Sequence, residues 1–343
     1  MKQLALLLVV FTLAASAANY TAQQTTRDGV EVVVLTDAAR RTVVTLVPSA
    51  GNATYEMKVN GKDVLRTPVG NLAEFKKKPG SNGIPFLAPW ANRIDSTFFY
   101  ANGKKYNFNL DLKNLSLGRN KFPIHGLLGN SPAWRVAAVK ADRRAAEVTS
   151  RLEFYKYPDL MAQFPFAHTI EMTHRLSDGV LEVETVLINH STEPMPNAIG
   201  FHSYFRVNDA PPDQWKLHVG ARDHWVLSPE LIPTGERKPV AYADPLPLAG
   251  VRFDDVFSNL VRGADGRGEF WLQGKTEKVS VIFGPKYDVA VIFFGGRDNI
   301  AIETMAAITN GYNMAHAGTY KELQSVPPGG QWRESFWIKP TGF

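Results

Sequence analysis

The sequence contains no cysteine in its 343 residues. Disulfides, thiolate metal sites, a cysteine nucleophile and a lipid-modified N-terminal cysteine are all excluded, and the fold must rest on its core. Long apolar runs are missing too. The run from Leu4 to Leu13 is too short to span a bilayer as a helix, and no later stretch is long and apolar enough. With Lys2 before that run and Ala14-Ala15-Ser16-Ala17 after it, the layout is that of a secretory signal peptide. We place cleavage after Ala17. Residues 1–17 are then a signal peptide and 18–343 one mature domain, exported to the periplasm or the medium and free of the membrane once the leader is removed.

Charge of one sign is nowhere concentrated. The net charge is +5 and the pI about 9.2, but the basic residues are scattered. The densest run, Lys76-Lys77-Lys78 beside Pro79-Gly80, reads as a solvated loop. A nucleic-acid partner would require a basic stripe with stacking aromatics or a known module, and neither is present. There is no GxSxG elbow, no P-loop, no GxGxxG opening a helix and no HExxH, so hydrolase triads and nucleotide cofactors lose support. His168 and His174 share one face of a predicted strand but are too far apart for the usual pairing of strand ligands, and no EF-hand spacing surrounds Asp254-Asp255. No metal is assigned.

A long amphipathic helix is also lacking; the nearest candidate, Tyr155 to Gln163, carries Pro158. What is present is period-two alternation of β-branched and polar residues. It runs over Glu31 to Leu35, Thr42 to Val47, Tyr55 to Val59, Glu147 to Phe154, Ala167 to Leu176, Val180 to Asn189, Val279 to Phe283, Val289 to Phe294 and Glu334 to Ile338. Most of the 27 glycines and 22 prolines fall between these runs, and no Ser- or Gly-rich linker divides them. The reading is all-β, a single large antiparallel β-sandwich.

Several polar residues sit in apolar or glycine-bearing surroundings. His202, in Gly200-Phe201-His202-Ser203-Tyr204-Phe205, is a titratable imidazole among aromatic rings, fit for proton transfer near neutrality or for a core hydrogen bond. Glu303 lies between Ile302 and Met305, where burial would raise its pKa toward that of a general acid or base; a solvent-facing strand end is the alternative. His125 precedes Gly126, a glycine that permits close approach of backbone or ligand. Arg93, with Asn92 beside it, suits paired hydroxyls, carboxylates or a structural ion pair. Trp90 suits stacking on a sugar ring or core packing. His190, His218, His224 and His316 have no evident partner nearby in sequence.

Taken in order, these stretches resemble the aldose 1-epimerase (galactose mutarotase-like) family. Pro85-Phe86-Leu87-Ala88-Pro89-Trp90-Ala91-Asn92-Arg93-Ile94 is similar to the family's Pro-Trp-Asn-Arg segment, and Ile124-His125-Gly126 to its first histidine motif. Gly200 to Phe205 resembles the second histidine motif, with Ser203 where the family usually has proline. Leu231 to Glu236, Phe253 to Phe257, Ile300 to Met305 and Pro327 to Gly330 match the Pro-Thr-Gly, aspartate, glutamate and Pro-Gly segments. The resemblance spans Val30 to Ile338.

The resemblance implies the family's supersandwich and the interconversion of α and β anomers of a free aldose, without metal or organic cofactor. It makes Glu303 the base at the anomeric hydroxyl, His202 the acid at the ring oxygen and His125 a hydrogen-bonding group near that oxygen. Arg93, Asp254, Asn92 and Trp90 belong with the substrate-binding residues, Asp254 being preferred over Asp255. The partner is a small sugar. Rival readings are a hexose-6-phosphate 1-epimerase, with Arg119 and Lys121 holding the phosphate, a non-catalytic carbohydrate-binding protein, and a glycoside hydrolase using Glu303 and Asp254.

Overall fold

The structure, a computed structural model, describes residues 19–343 apart from 68, 69, 79, 81 and 119. The signal-peptide assignment lies outside the described residues. Strand accounts for 50% of the protein and helix for 8%, as β-branched period-two runs favour.

Alternation sets the layers. Along Val180–Asn189, Leu181, Val183 and Thr185 turn inward while Val180, Glu182 and Glu184 stay partly exposed. This strand belongs to a nine-stranded sheet in the order Leu246–Pro247, Lys216–His218, Gly268–Gln273, Lys278–Phe283, Gln331–Thr341, Val180–Asn189, His168–Ser177, Ala146–Glu153, Arg135–Ala141. An eight-stranded sheet packs against it. Its order is Pro233–Pro239, Ala221–Leu227, Phe253–Leu260, Val289–Phe294, Ile300–Met305, Gly200–Phe201, Phe86–Leu87, and Tyr204–Phe205 also pairs with Ile300–Met305. Every ladder in both sheets is antiparallel. The Phe201 ring of the second sheet lies 4.7 Å from Phe336 of the first, and Val291 and Ile302 share the core with Val183, Val281 and Ile338.

Residues 20–63 form a five-stranded meander at the N-terminal end of the described chain. Val30, Val32, Val47 and Tyr55 on it would be open to water but for Leu72 and Phe75 of the helix Leu72–Lys77. Lys76 and Lys77 are therefore the last turn of a helix, not a loop. The helix forms because Asn71 caps it, accepting from the Glu74 N–H at 2.9 Å, and because its cations lie at the C-terminal, negative end of the helix dipole. Pro158 likewise begins a helix, Pro158–Gln163, at a position where the missing N–H costs nothing.

Candidate active site

All six residues of Ile300–Met305 are buried, since the strand runs through the interior of the eight-stranded sheet. Glu303, only 1% exposed, is thus an interior carboxyl and not a solvent-facing strand end. Phe201 pairs with Thr304 and Tyr204 with Ala301, which sets His202 and Ser203 opposite Glu303 and Ile302. The His202 N–H is taken by the Pro85 carbonyl (3.0 Å), and the Ser203 carbonyl accepts from Ile302 N–H (3.1 Å). At this short break between two strands, His202 Nε2 lies 3.1 Å from Glu303 Oε1.

Neighbouring rings hold the imidazole. Tyr204 stacks on it at 4.4 Å with its hydroxyl 3.3 Å from Nε2, and His125 meets it edge-on at 5.3 Å. Buried polar atoms are nearly always bonded. Glu303 Oε2, His125 Nδ1 and His202 Nδ1 are buried without a protein partner among the described residues.

Two loops supply the rest. Asn92 (φ 55°) and His125 (φ 63°) both adopt left-handed backbone, uncommon for residues with a Cβ. They are locked to each other: His125 N–H donates to the Asn92 carbonyl (2.8 Å), Ile94 N–H to that of Pro123 (2.9 Å) and Leu127 N–H to that of Ala88 (2.7 Å). A Cβ on Gly126 would lie 2.2 Å from the Ala88 oxygen, so the close approach that this glycine permits is to backbone, not to a ligand. Arg93 leaves this junction to pair with Asp254 (Nη2 to Oδ2, 3.0 Å) and to donate to the Asn92 amide oxygen (2.9 Å). Asp255 turns the other way, to His224 at 2.8 Å. Asp254 is the one that faces the site.

These groups surround a cavity of 170 Å³, whose wall includes Asn92, Arg93, His125, His202, Asp254 and Glu303. Trp90 does not belong to it. It is 1% exposed and packed on Phe108 at 5.0 Å, so its expected place against a sugar is corrected to one in the core. Tyr204 and Phe293 complete the wall, and neither was singled out from the sequence. Phe293 carries no signal in its apolar run; it takes the outward position of Val289–Phe294, exposed by 38% in an otherwise buried strand.

Burial pushes the Glu303 carboxyl well above the usual carboxylate range, and Asp254 adds to this while Arg93 opposes it. Burial likewise pushes His202 well below the usual imidazole value, reinforced by His125 and Arg93. His125 is pushed down to about 4 by burial and then by Arg93. The Glu303–His202 pair consequently favours its uncharged form and holds one proton, while His125 is neutral. Such a pair can give one proton and take another.

The other histidines lie elsewhere. His168 and His174 are buried in the core, His190 bonds Thr169 (2.9 Å), His218 bonds Asp244 (2.7 Å) and His316 stacks on Tyr100 at 3.7 Å. No group of three or more His, Asp or Glu that could hold a metal occurs among the described residues.

The family model of aldose 1-epimerase matches residues 31–339. Among solved structures the fold is similar to that of a galactose mutarotase-like protein from Clostridium acetobutylicum, which is 22% identical, with a TM-score of 0.84 over 95% of this chain and 99% of that one. It is similar also to the galactose 1-epimerase of Lactobacillus acidophilus NCFM, at 13% identity and a TM-score of 0.71 over 95% of this chain and 100% of that one. A galactose mutarotase-like protein from Lactobacillus casei shares 15% identity, with a TM-score of 0.65 over 93% and 100% of the two chains. At these identities the solved structures speak for the fold, and the match over nearly all the described residues speaks for the family: the chain belongs to the aldose 1-epimerase family.

Proposed function

We propose that the protein interconverts the α and β anomers of a free hexose such as glucose or galactose. The observation that carries this reading is the 3.1 Å contact between His202 and Glu303 in the wall of a 170 Å³ cavity, about the size of a single sugar ring. In a pyranose the anomeric oxygen O1 and the ring oxygen O5 are both bonded to C1. The groups that serve them must therefore stand side by side.

Transfer of the shared proton from Glu303 to His202 arms the pair, and Arg93 favours the resulting carboxylate. Glu303 then takes the proton from O1, the O1–H electrons form the C1=O1 bond, the C1–O5 bond breaks, and His202 gives its proton to O5. The aldehyde turns about C1–C2. On closure O5 attacks the other face of C1, His202 recovers its proton and Glu303 returns one to O1. Each proton transfer of this kind is worth about 10²–10⁴-fold in rate. No step calls on a metal or an organic cofactor.

The His125 imidazole offers a hydrogen bond near O5, Arg93 and Asp254 offer a charged donor and acceptor to neighbouring hydroxyls, and Phe293 offers an apolar face to the sugar's C–H groups. Asn92 acts through Arg93, whose guanidinium it holds. A phosphorylated hexose is less well served: Arg93 is already paired with Asp254, Lys121 does not line the cavity and Arg119 lies outside the described residues. The hydrolase reading lacks its second carboxyl, since Asp254 is the one held by Arg93. Work outside the cytoplasm is part of the proposal and rests on the sequence of residues 1–17.

Polarimetry of freshly dissolved α-D-glucose and α-D-galactose tests the reading. Wild-type protein should speed the approach to the equilibrium rotation and Glu303→Gln should not. Sugar binding without any acceleration would assign the protein to carbohydrate recognition instead.

A further inference from the structure

A second cavity, of 820 Å³, adjoins the first and shares His125, His202 and Tyr204 with it. Its far walls come from the loop after Gly126 and from the start of the Pro158–Gln163 helix. Its volume lies within the range of about 300–1,000 Å³ typical of pockets that bury a whole small-molecule ligand. The proton transfers above use only its rim.

The chemistry of the lining narrows the occupant. Ser116 and Asn130 present a hydroxyl and an amide that make no side-chain hydrogen bond among the described residues, and between them lie the apolar surfaces of Leu127, Tyr157 and Leu160. The lining carries one acidic and one basic side chain, Asp159 and Arg135, and Nη1 of Arg135 donates to the carbonyls of Pro132 and Trp134, both at 2.8 Å. A ligand with hydroxyls at its edges and C–H groups on its faces matches both kinds of surface.

We propose that the substrate is the reducing end of an oligosaccharide, with the terminal ring in the 170 Å³ cavity and the sugar residues attached to it in the 820 Å³ cavity. This rests on the mutarotase reading. The shared rim is formed by the histidines that face the ring oxygen, so the chain leaves by the C5–C6 edge of the terminal ring, through O6.

The test compares anomer interconversion by the mature protein on glucose, galactose, glucose 6-phosphate and a panel of reducing disaccharides joined 1→6 or 1→4. A 1→6-linked disaccharide should exceed its own reducing-end monosaccharide by at least about tenfold in kcat/KM, since binding energy from the remote ring is available to the transition state. Ser116→Trp and, independently, Asn130→Trp should each bring that ratio close to one, with unchanged thermal unfolding showing that the fold is intact. Acceleration of glucose or galactose without gain from any disaccharide would overturn the proposal and leave the mutarotase reading standing. A preference for glucose 6-phosphate over every disaccharide would overturn it too. A 1→4-linked disaccharide as best substrate would keep the oligosaccharide and overturn the exit through O6. No acceleration of any sugar would overturn the mutarotase reading itself.

Discussion

His202 Nε2, in the break between Gly200–Phe201 and Tyr204–Phe205, stands 3.1 Å from Oε1 of Glu303 on the strand Ile300–Met305, so the protonation of one residue is a property of both. Removing either should abolish the proton exchange between them. Glu303→Gln and His202→Asn are each expected to slow anomer interconversion by at least about a hundredfold, with the double variant little worse than the poorer single one. Glutamine is neutral and of the same size, so the apparent Tm should not fall. A near-normal rate in either single variant would remove that residue from the proton transfers.

The Arg93–Asp254 pair should act through binding. Charge-assisted hydrogen bonds are worth about 1.5–3 kcal/mol, so Asp254→Asn and Arg93→Lys should each raise KM by roughly ten- to hundredfold and move kcat much less. Asp255→Asn, which touches His224 instead, should change KM little. Equal effects at the two aspartates in steady-state assays would contradict the orientation described.

Two aromatic residues separate recognition from folding. Phe293→Ala removes an exposed cavity wall and should weaken sugar binding at near-constant stability. Trp90→Ala empties a core position and should cost about 3–5 kcal/mol in denaturant unfolding. The reverse pattern would return Trp90 to the sugar.

Acid should destabilise the protein through its core histidines. Burial pushes His168 down to about 4 and His174 to about 3, so below pH 6.5 the unfolded chain takes up protons that the folded one refuses. Stability is then lost as pH falls from 6.5 toward 4, by about 1.4 kcal/mol per pH unit for each group. Unfolding free energies measured across this range should show a shallower slope for His174→Leu than for the wild type. An unchanged slope would mean that His174 reaches water in the native state.

The strands that face water on one side were legible because alternation reports a half-buried sheet. Val180–Asn189 shows that alternation, whereas Thr42–Val47 and Val289–Phe294 form strands at their expected bounds with nearly every residue buried. Tyr20–Arg27 escaped notice because its residues are mostly polar, and Pro233–Pro239 because it begins and ends with proline; both are edge strands, where neither property is excluded. His125, His202, Glu303, Arg93 and Asp254 were visible as polar residues in apolar or glycine-bearing stretches. What sequence could not convey was distance. Trp90 and Phe293 are both aromatic residues in apolar runs, and only the loop that closes over one and the strand face that exposes the other tell them apart. Likewise Asp254 and Asp255 differ in nothing but the side of the strand they occupy.

The strand Gln331–Thr341, near the C-terminal end of the chain, lies in the interior of the nine-stranded sheet, between Lys278–Phe283 and Val180–Asn189. During synthesis both neighbours emerge before it and wait with unpaired edges until it arrives. A chain cut before Gln331 would keep every residue of the proton-transfer pair and every wall of both cavities. It would nonetheless expose two facing strand edges in its largest sheet, a template for joining one chain to another. Loss of this one strand is therefore expected to turn an intact pair of cavities into a self-associating chain.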